Sequence, residues 1–145
     1  MSNEARYKAA MNWSKFFIAF IVAFVFVFFF GFVWHGILMK PTYMEIASHY
    51  RAHDDMHWGP LLLGHVVMAF FFTWAYARFA GGGPGAGMRL GVIVGLIFVG
   101  LYFIRFAVEP LTMKILLLGS IGDVLEFALM GAIVGAIYKP GIGTA

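Results

Sequence analysis

Two carboxylates lie within the last apolar stretch of the chain, where a membrane-spanning helix is expected. Asp123 and Glu126 are three residues apart, and a rise of about 1.5 Å per residue puts them ~13 Å and ~18 Å beyond Lys114. Those depths bracket the middle of a ~30 Å hydrocarbon core. A charge there costs at least ~2.5–3.5 kcal/mol, so such residues usually face the protein interior and have partners. The two carboxylates therefore predict a polar interior, suited to the passage of protons or ions.

Other ionisable residues are expected in the same half of the membrane. By the same helical rise, His35, His65 and Arg105 lie about 6–8 Å below the outer surface. Arg105 is the expected counter-ion of Asp123, because a buried arginine needs a carboxylate and their spans are adjacent. Glu126 has no cationic partner at its depth, so we expect it to be protonated, to bond backbone or serine groups, or to face another subunit. The predicted intramembrane polar network contains Arg105, Glu109, Asp123 and Glu126.

Two histidines suggest a cofactor as an alternative use of this interior. His35 and His65 are predicted at matching depth on neighbouring helices, and each adjoins a glycine, Gly36 or Gly64. A flat ring between two imidazoles is the arrangement of a b-type haem in a helical bundle. The pattern indicates a bis-histidine haem site as one possibility, and a polar network that sets helix register as another.

A third group of histidines lies in the longest loop, residues 41–59. His49, His53 and His57 repeat every four residues, with Asp54 beside them. On a helix, imidazoles at this spacing share one face and can bind one metal ion, so zinc or copper binding is predicted. The same spacing fits a short extracytoplasmic helix at the membrane surface that binds no metal, or one that senses pH.

The composition defines the elements that must position these residues. The chain has 145 residues, of which 62% are hydrophobic and only 12% charged. A span needs about 20 residues, so four spans nearly fill the chain. We therefore expect an all-α, integral membrane four-helix bundle, a single transmembrane domain over 1–145, with the interfacial helix between spans one and two. The predicted spans are Phe16–Met39, Pro60–Ala77, Leu90–Val108 and Ile115–Tyr138.

Glycines predict how two of the spans pack. Gly91 and Gly95 on span three, and Gly131 and Gly135 on span four, have the small-xxx-small spacing that lets helix backbones approach closely. The stretch GGGPGAG at 81–87 is expected to be the turn between spans two and three.

The distribution of charges predicts the orientation. Of the ten Lys and Arg residues, six fall on the side of the termini and the Gly-rich turn: Arg6, Lys8, Lys15, Arg78, Arg89 and Lys139. This favours both termini in the cytoplasm. The basic residues flank apolar runs instead of clustering, so no nucleic-acid partner is expected. The chain has no cysteine, and it lacks the HExxH, nucleophile-elbow, phosphate-loop and nucleotide motifs of common enzymes.

The layout resembles a family of small four-helix bacterial integral membrane proteins of unknown function. The shared features are Trp34-His35-Gly36, Leu63-Gly64, Tyr76-Ala77, Glu126, Gly131, Gly135 and the terminal Tyr138-Lys139-Pro140. This resemblance implies the fold and a bacterial inner membrane, but no activity.

Three functions are compatible with these residues. The first is an accessory or structural subunit, which packs against other membrane subunits or a second copy of itself within the lipid bilayer. The second is proton or metal-ion transport, with capture by the loop histidines and passage along Asp123 and Glu126. The third is a haem-binding bundle.

Overall fold

Four long apolar helices dominate the computed structural model, which describes residues 11–138. Each is long and apolar enough to cross a membrane: Trp13–Leu38, Trp58–Ala80, Pro84–Val108 and Met113–Ile137. No strand occurs in this part of the chain. The predicted all-α bundle with four candidate spans is therefore confirmed, and the protein is a small membrane protein.

The first two spans each end in a π-helical segment. Helix α1 is α-helical over Trp13–Gly31 and π-helical over Phe32–Leu38, and helix α3 is α-helical over Trp58–Ala75 and π-helical over Tyr76–Ala80. Between them lie the short helix α2, Lys40–Met44, and two 3₁₀ turns, Ala47–His49 and His53–Asp55. Helix α4 is Pro84–Val108 and helix α5 is Met113–Ile137. A π segment has more residues per turn, so it redirects the side chains that follow it.

The turn between α3 and α4 is shorter than predicted. Only Gly81, Gly82 and Gly83 lie outside the helices, with φ values of 34°, 133° and 86° that residues with a side chain rarely adopt. Pro84 begins α4, because a helix needs no N–H donor in its first turn. The third span therefore starts six residues before the predicted Leu90.

Helix α5 is the centre of the bundle, since it packs against both α4 and α1, and α1 packs in turn against α3. The contact between α4 and α5 is made by glycines. A Cβ atom on Gly91 would overlap the carbonyl group of Phe127, and one on Gly87 would overlap that of Gly131. This close approach confirms the packing that the glycine spacing predicts.

Two apolar clusters divide the interior along the membrane normal. The larger cluster lies toward the termini and contains Phe16, Ala19, Ala23, Val27, Ala69, Phe72, Tyr76, Phe127, Met130, Val134 and Tyr138. The smaller lies toward the face that carries the α1–α3 loop and the α4–α5 connection, called the loop face below. It contains Met39, Tyr102, Leu111, Ile115 and Leu116. The level between the two clusters is where α5 carries its carboxylates.

The glycine contact predicts that two glycine-to-alanine substitutions on α4 differ strongly in their effect on the free energy of unfolding. Gly91→Ala puts a methyl group into the backbone of α5, and overpacking of this kind costs about 1–3 kcal/mol or more. Gly100→Ala on the same helix meets nothing within 4 Å, so its free energy of unfolding should change by less than about 1 kcal/mol. Unfolding in mixed micelles, followed by circular dichroism, measures both. Equal stability of the two variants would show that α4 and α5 are not in backbone contact.

Candidate functional site

Asp123 and Glu126 are the only buried charged side chains in the described part of the chain, with 7% and 5% of their surfaces exposed. They occupy the inward face of α5, between the two apolar clusters. Burial at this level is what the sequence predicts for them. Two histidines from other helices approach this level of the bundle, and we call His35, His65, Asp123 and Glu126 the inner polar group.

His35 connects Asp123 to the short helix α2. Its Nε2 atom lies 3.8 Å from Asp123 Oδ1, and its Nδ1 atom is 2.7 Å from the Tyr43 hydroxyl. His35 belongs to the π segment of α1, which ends where the Met39 N–H donates to the Trp34 carbonyl five residues earlier. The imidazole therefore has a polar partner at each ring nitrogen.

Tyr43 remains a neutral phenol over the ordinary pH range. Burial first, and then the neighbouring Tyr50, raise its pKa to about 12. Its O–H can therefore donate to Nδ1 of a neutral His35, whose Nε2–H then points toward Asp123. When His35 is protonated at both nitrogens, the Tyr43 oxygen accepts instead. The contact supports both protonation states of the imidazole.

Two aromatic side chains pack against glycines of α5, between the carboxylates and the loop face. Trp34 packs on Gly122 and donates its Nε1–H to the Leu118 carbonyl at 3.1 Å, and Tyr102 packs on Gly119. A Cβ atom at either glycine would overlap the ring. Sequence analysis missed these contacts. The available signal was a pair of glycines three residues apart on the carboxylate helix, at the level of aromatic residues on α1 and α4.

Glu126 and His65 both approach Gly31 of α1. His65 Nε2 and Glu126 Oε1 lie 3.5 Å and 3.8 Å from the point where a Cβ atom of Gly31 would be. No ion pair or hydrogen bond joins the two side chains in residues 11–138. The expectation that Glu126 lacks a cationic partner at its depth therefore stays a prediction.

Arg105 has a different partner from the one predicted. Its guanidinium forms two hydrogen bonds with Glu109, of 2.9 Å and 2.8 Å, four residues along the chain, and His49 Nε2 lies 3.0 Å from the same carboxylate. The prediction that Arg105 neutralises Asp123 is therefore wrong. A local fork-shaped pair at the end of α4 satisfies the arginine without burying its charge. We call Arg105, Glu109 and His49 the loop-face group.

The histidine-rich loop does not form the predicted interfacial helix. Helix α2 ends at Met44, and the two 3₁₀ turns that follow are separated by extended residues. Tertiary contacts override the helical periodicity. Tyr43 contacts His35, Glu45 forms a 2.8 Å ion pair with Lys114, and His49 contacts Glu109.

The predicted metal site depends on a helix that aligns the histidines on one face, and that helix does not form. His53 packs its ring edge against Trp58, Asp55 pairs with Arg51 at 2.9 Å, and His57 precedes the first turn of α3. Residues 11–138 contain no group of three or more His, Asp or Glu side chains placed to hold a metal ion. Zinc or copper binding by His49, His53, His57 and Asp54 stays a prediction of the sequence.

Comparison with known proteins identifies the family. A profile described as a protein of unknown function, DUF1761, matches residues 18–135, which is most of the chain. The chain belongs to the DUF1761 family. This confirms the resemblance to a family of small membrane proteins of unknown function, although Lys139 and Pro140 of the terminal motif lie outside the described residues. No curated protein and no solved structure matches the chain.

One histidine of the haem prediction lies near a carboxylate in this DUF1761 protein, and the other lies beside Gly31, as Glu126 does. His35 Nε2 is directed at Asp123, and His65 Nε2 at the Gly31 position beside Glu126. The space next to Gly36 is occupied by the Phe32 ring, which would contact a Cβ there at 3.3 Å. Haem binding by His35 and His65 stays a prediction of the sequence.

The loop-face group predicts an acid-sensitive component of stability. Hydrogen bonds from Arg105 and then His49 lower the pKa of Glu109 from 4.5 to about 2. Because the folded-state pKa is depressed, this stabilisation is fully present above pH 4.5 and is lost as the pH falls toward 2. Glu109→Gln should therefore be less stable than the wild type at neutral pH, and the difference should shrink across that window.

Thermal unfolding in detergent at a series of pH values measures this difference. Glu45→Gln is the matched control, because it removes the Lys114 ion pair at the same face but leaves Glu109 in place. It should retain the wild-type loss of stability at low pH. An unchanged gap between wild type and Glu109→Gln from neutral pH to pH 2 would contradict the prediction.

Proposed function

We propose that this protein transfers protons between the loop face and the middle of the membrane. The observation that carries the proposal is the clustering of imidazole and carboxyl groups inside the bundle. His35 lies 3.8 Å from Asp123, and His65 and Glu126 each have a polar atom within 4 Å of the point where a Cβ atom of Gly31 would be. An imidazole and a carboxyl group can exchange a proton, because each can both donate and accept one. Intramembrane Asp, Glu and His residues commonly mark proton relays.

Polar side chains extend from the inner polar group to the loop face. Tyr43 bonds His35, and its ring lies 5.0 Å from that of Tyr50, which in turn lies 5.3 Å from His49. His49 contacts Glu109, whose side chain is 26% exposed. The Tyr43–Tyr50 and Tyr50–His49 contacts are edge-to-face ring contacts, so they carry no proton themselves. The succession of polar side chains supports the loop face as the side from which protons enter.

Apolar side chains fill the interior between Glu126 and the end of the bundle that carries the termini. Phe72, Phe127 and Met130 are nearly or completely buried on the termini side of Glu126, and the rings of Phe72 and Phe127 stack at 6.2 Å. No charged side chain is buried among them in residues 11–138. This arrangement supports reversible uptake and release from one face instead of an open proton channel.

A second candidate is an accessory subunit of a larger membrane complex or a homo-oligomer, and the same closed end favours it. Protons that reach Glu126 need a further acceptor group if they are to cross the membrane. A neighbouring subunit can provide that acceptor group. Such a subunit would supply protons to its partner. Purification in mild detergent that yields only a monomer, with no co-migrating protein, would contradict this candidate.

We also propose the bacterial inner membrane as the location, with both termini in the cytoplasm. The excess of Lys and Arg on the side of the termini supports this orientation. The loop face would then lie outside the cytoplasm, and protons would enter from there.

The proposal predicts titratable carboxyl groups inside the membrane. Infrared difference spectra of the protein in lipid bilayers, recorded between two pH values, should contain carboxylic C=O bands that appear as the pH falls. Asp123→Asn and Glu126→Gln should each abolish one band, because each removes one carboxyl of the inner polar group.

Glu45→Gln serves as the control, since Glu45 is exposed and forms an ion pair at the loop face. It should leave both intramembrane bands unchanged. If neither Asp123→Asn nor Glu126→Gln alters the pH-dependent spectrum, the two carboxyls do not exchange protons and the proposal is wrong.

A further inference from the structure

Helix α1 separates the helix that carries Glu126 from the helix that carries His65. It packs against both α5 and α3 over much of its length. Along the side of α1 that faces the interior, Ala19, Ala23 and Val27 are completely buried. Gly31 continues this series by one further turn, and at that position alone the series has no side chain.

The absence of a side chain at Gly31 leaves a small gap between two polar atoms, which we call the Gly31 gap. A Cβ atom there would lie 3.5 Å from His65 Nε2 and 3.8 Å from Glu126 Oε1. Those are ordinary van der Waals separations, so the gap has room for about one methyl group. A single water molecule is of similar size.

Both polar atoms that border the Gly31 gap lack a hydrogen-bond partner in the described part of the chain. The Nδ1 atom of His65 is 2.7 Å from the Leu61 carbonyl, which can only accept, so Nδ1 carries the hydrogen and Nε2 presents a lone pair in the neutral ring. Glu126 is 95% buried, and its carboxyl forms no hydrogen bond in residues 11–138. A buried carboxyl without a hydrogen-bond partner is unfavourable, whereas His65 is only partly buried.

We propose that one water molecule binds in the Gly31 gap and bridges Glu126 to His65. It would accept from the carboxyl O–H and donate to His65 Nε2, which satisfies both unpaired groups at once. Phe28 holds the imidazole in place by an edge-to-face ring contact at 5.7 Å.

This inference deepens the proposed proton transfer by assigning His65 as its last acceptor. In the transfer step, Glu126 gives its proton to the water while the water gives one of its own protons to His65 Nε2. The products are a carboxylate, an imidazolium and the same water molecule, so atoms and charge balance. The imidazolium keeps its Nδ1–H bond to the Leu61 carbonyl throughout.

Nitrogen NMR of the protein in lipid nanodiscs tests the water site directly. Protein labelled with ¹⁵N-histidine gives a signal from His65 Nε2, which is assigned by its loss in His65→Gln. Gly31→Ala fills the gap with a methyl group, so this signal should move toward the position of a lone pair without a hydrogen bond. Gly64→Ala is the matched control, because a Cβ atom there meets nothing within 4 Å although it adjoins His65. Its spectrum should match the wild type.

A rescue variant separates loss of the water from a general disturbance of packing. Gly31→Ser places a hydroxyl in the gap that can donate to His65 Nε2 as the water does, so the wild-type signal position should return. If Gly31→Ala leaves the His65 Nε2 signal unchanged, or if Gly31→Ser behaves as Gly31→Ala does, the water site is wrong. These outcomes do not depend on whether Glu126 titrates in the infrared experiment, so failure of the site and failure of the proposed function are distinguishable.

Discussion

The desolvation of two carboxyl groups on one helix is the constraint on which the rest of the structure depends. Asp123 and Glu126 cannot face lipid, because a charge in the hydrocarbon core is costly and an unpaired polar group is costly too. The side of α5 that carries them must be covered by protein. Accordingly α5 is the most enclosed of the four spanning helices, with α4 on one side and α1 on the other.

Glycine makes this enclosure possible in two distinct ways. Toward the termini, Gly87 and Gly91 bring the backbone of α4 onto that of α5, so the two helices form a close pair. Toward the loop face, Gly119 and Gly122 admit the rings of Tyr102 and Trp34. The first kind of contact positions a helix, and the second closes the space above the carboxylates with aromatic surface. Between these regions lie Asp123 and Glu126, with His35 close to Asp123.

The apolar runs and the glycine spacing were sufficient to predict the four spans and the close pairing of the last two. Both signals depend on local composition, and the membrane itself limits the alternatives. The burial of Asp123 and Glu126 was predictable for the same reason. The depth of each residue in the membrane could be predicted from the helical rise. The identity of its partner also depends on how each helix is rotated about its own axis, and the spacing of residues in the sequence does not define that rotation.

The errors at the site follow from that limitation. The adjacency of their spans predicts that Arg105 pairs with Asp123, yet Glu109 lies one turn away on the chain and satisfies the guanidinium with two hydrogen bonds. The π segment over Phe32–Leu38 shifts the direction of the side chains that follow Gly31, and no pattern in the sequence predicted this segment. The regular spacing of the loop histidines suggested one helix, whereas contacts of that loop with α1, α4 and α5 produced separate short turns.

The distance between His35 and Asp123 in a lipid bilayer tests the central claim, that the fold pairs imidazole with carboxyl groups inside the membrane. Solid-state NMR dephasing between ¹⁵N-labelled histidine and ¹³C-labelled aspartate carboxyls measures it, with the Asp123 signal assigned by its loss in Asp123→Asn. The Nε2–Oδ1 separation of 3.8 Å predicts strong dephasing of that signal, which His35→Gln should abolish. An Asp123 carboxyl signal that shows no dephasing by any histidine would contradict the account.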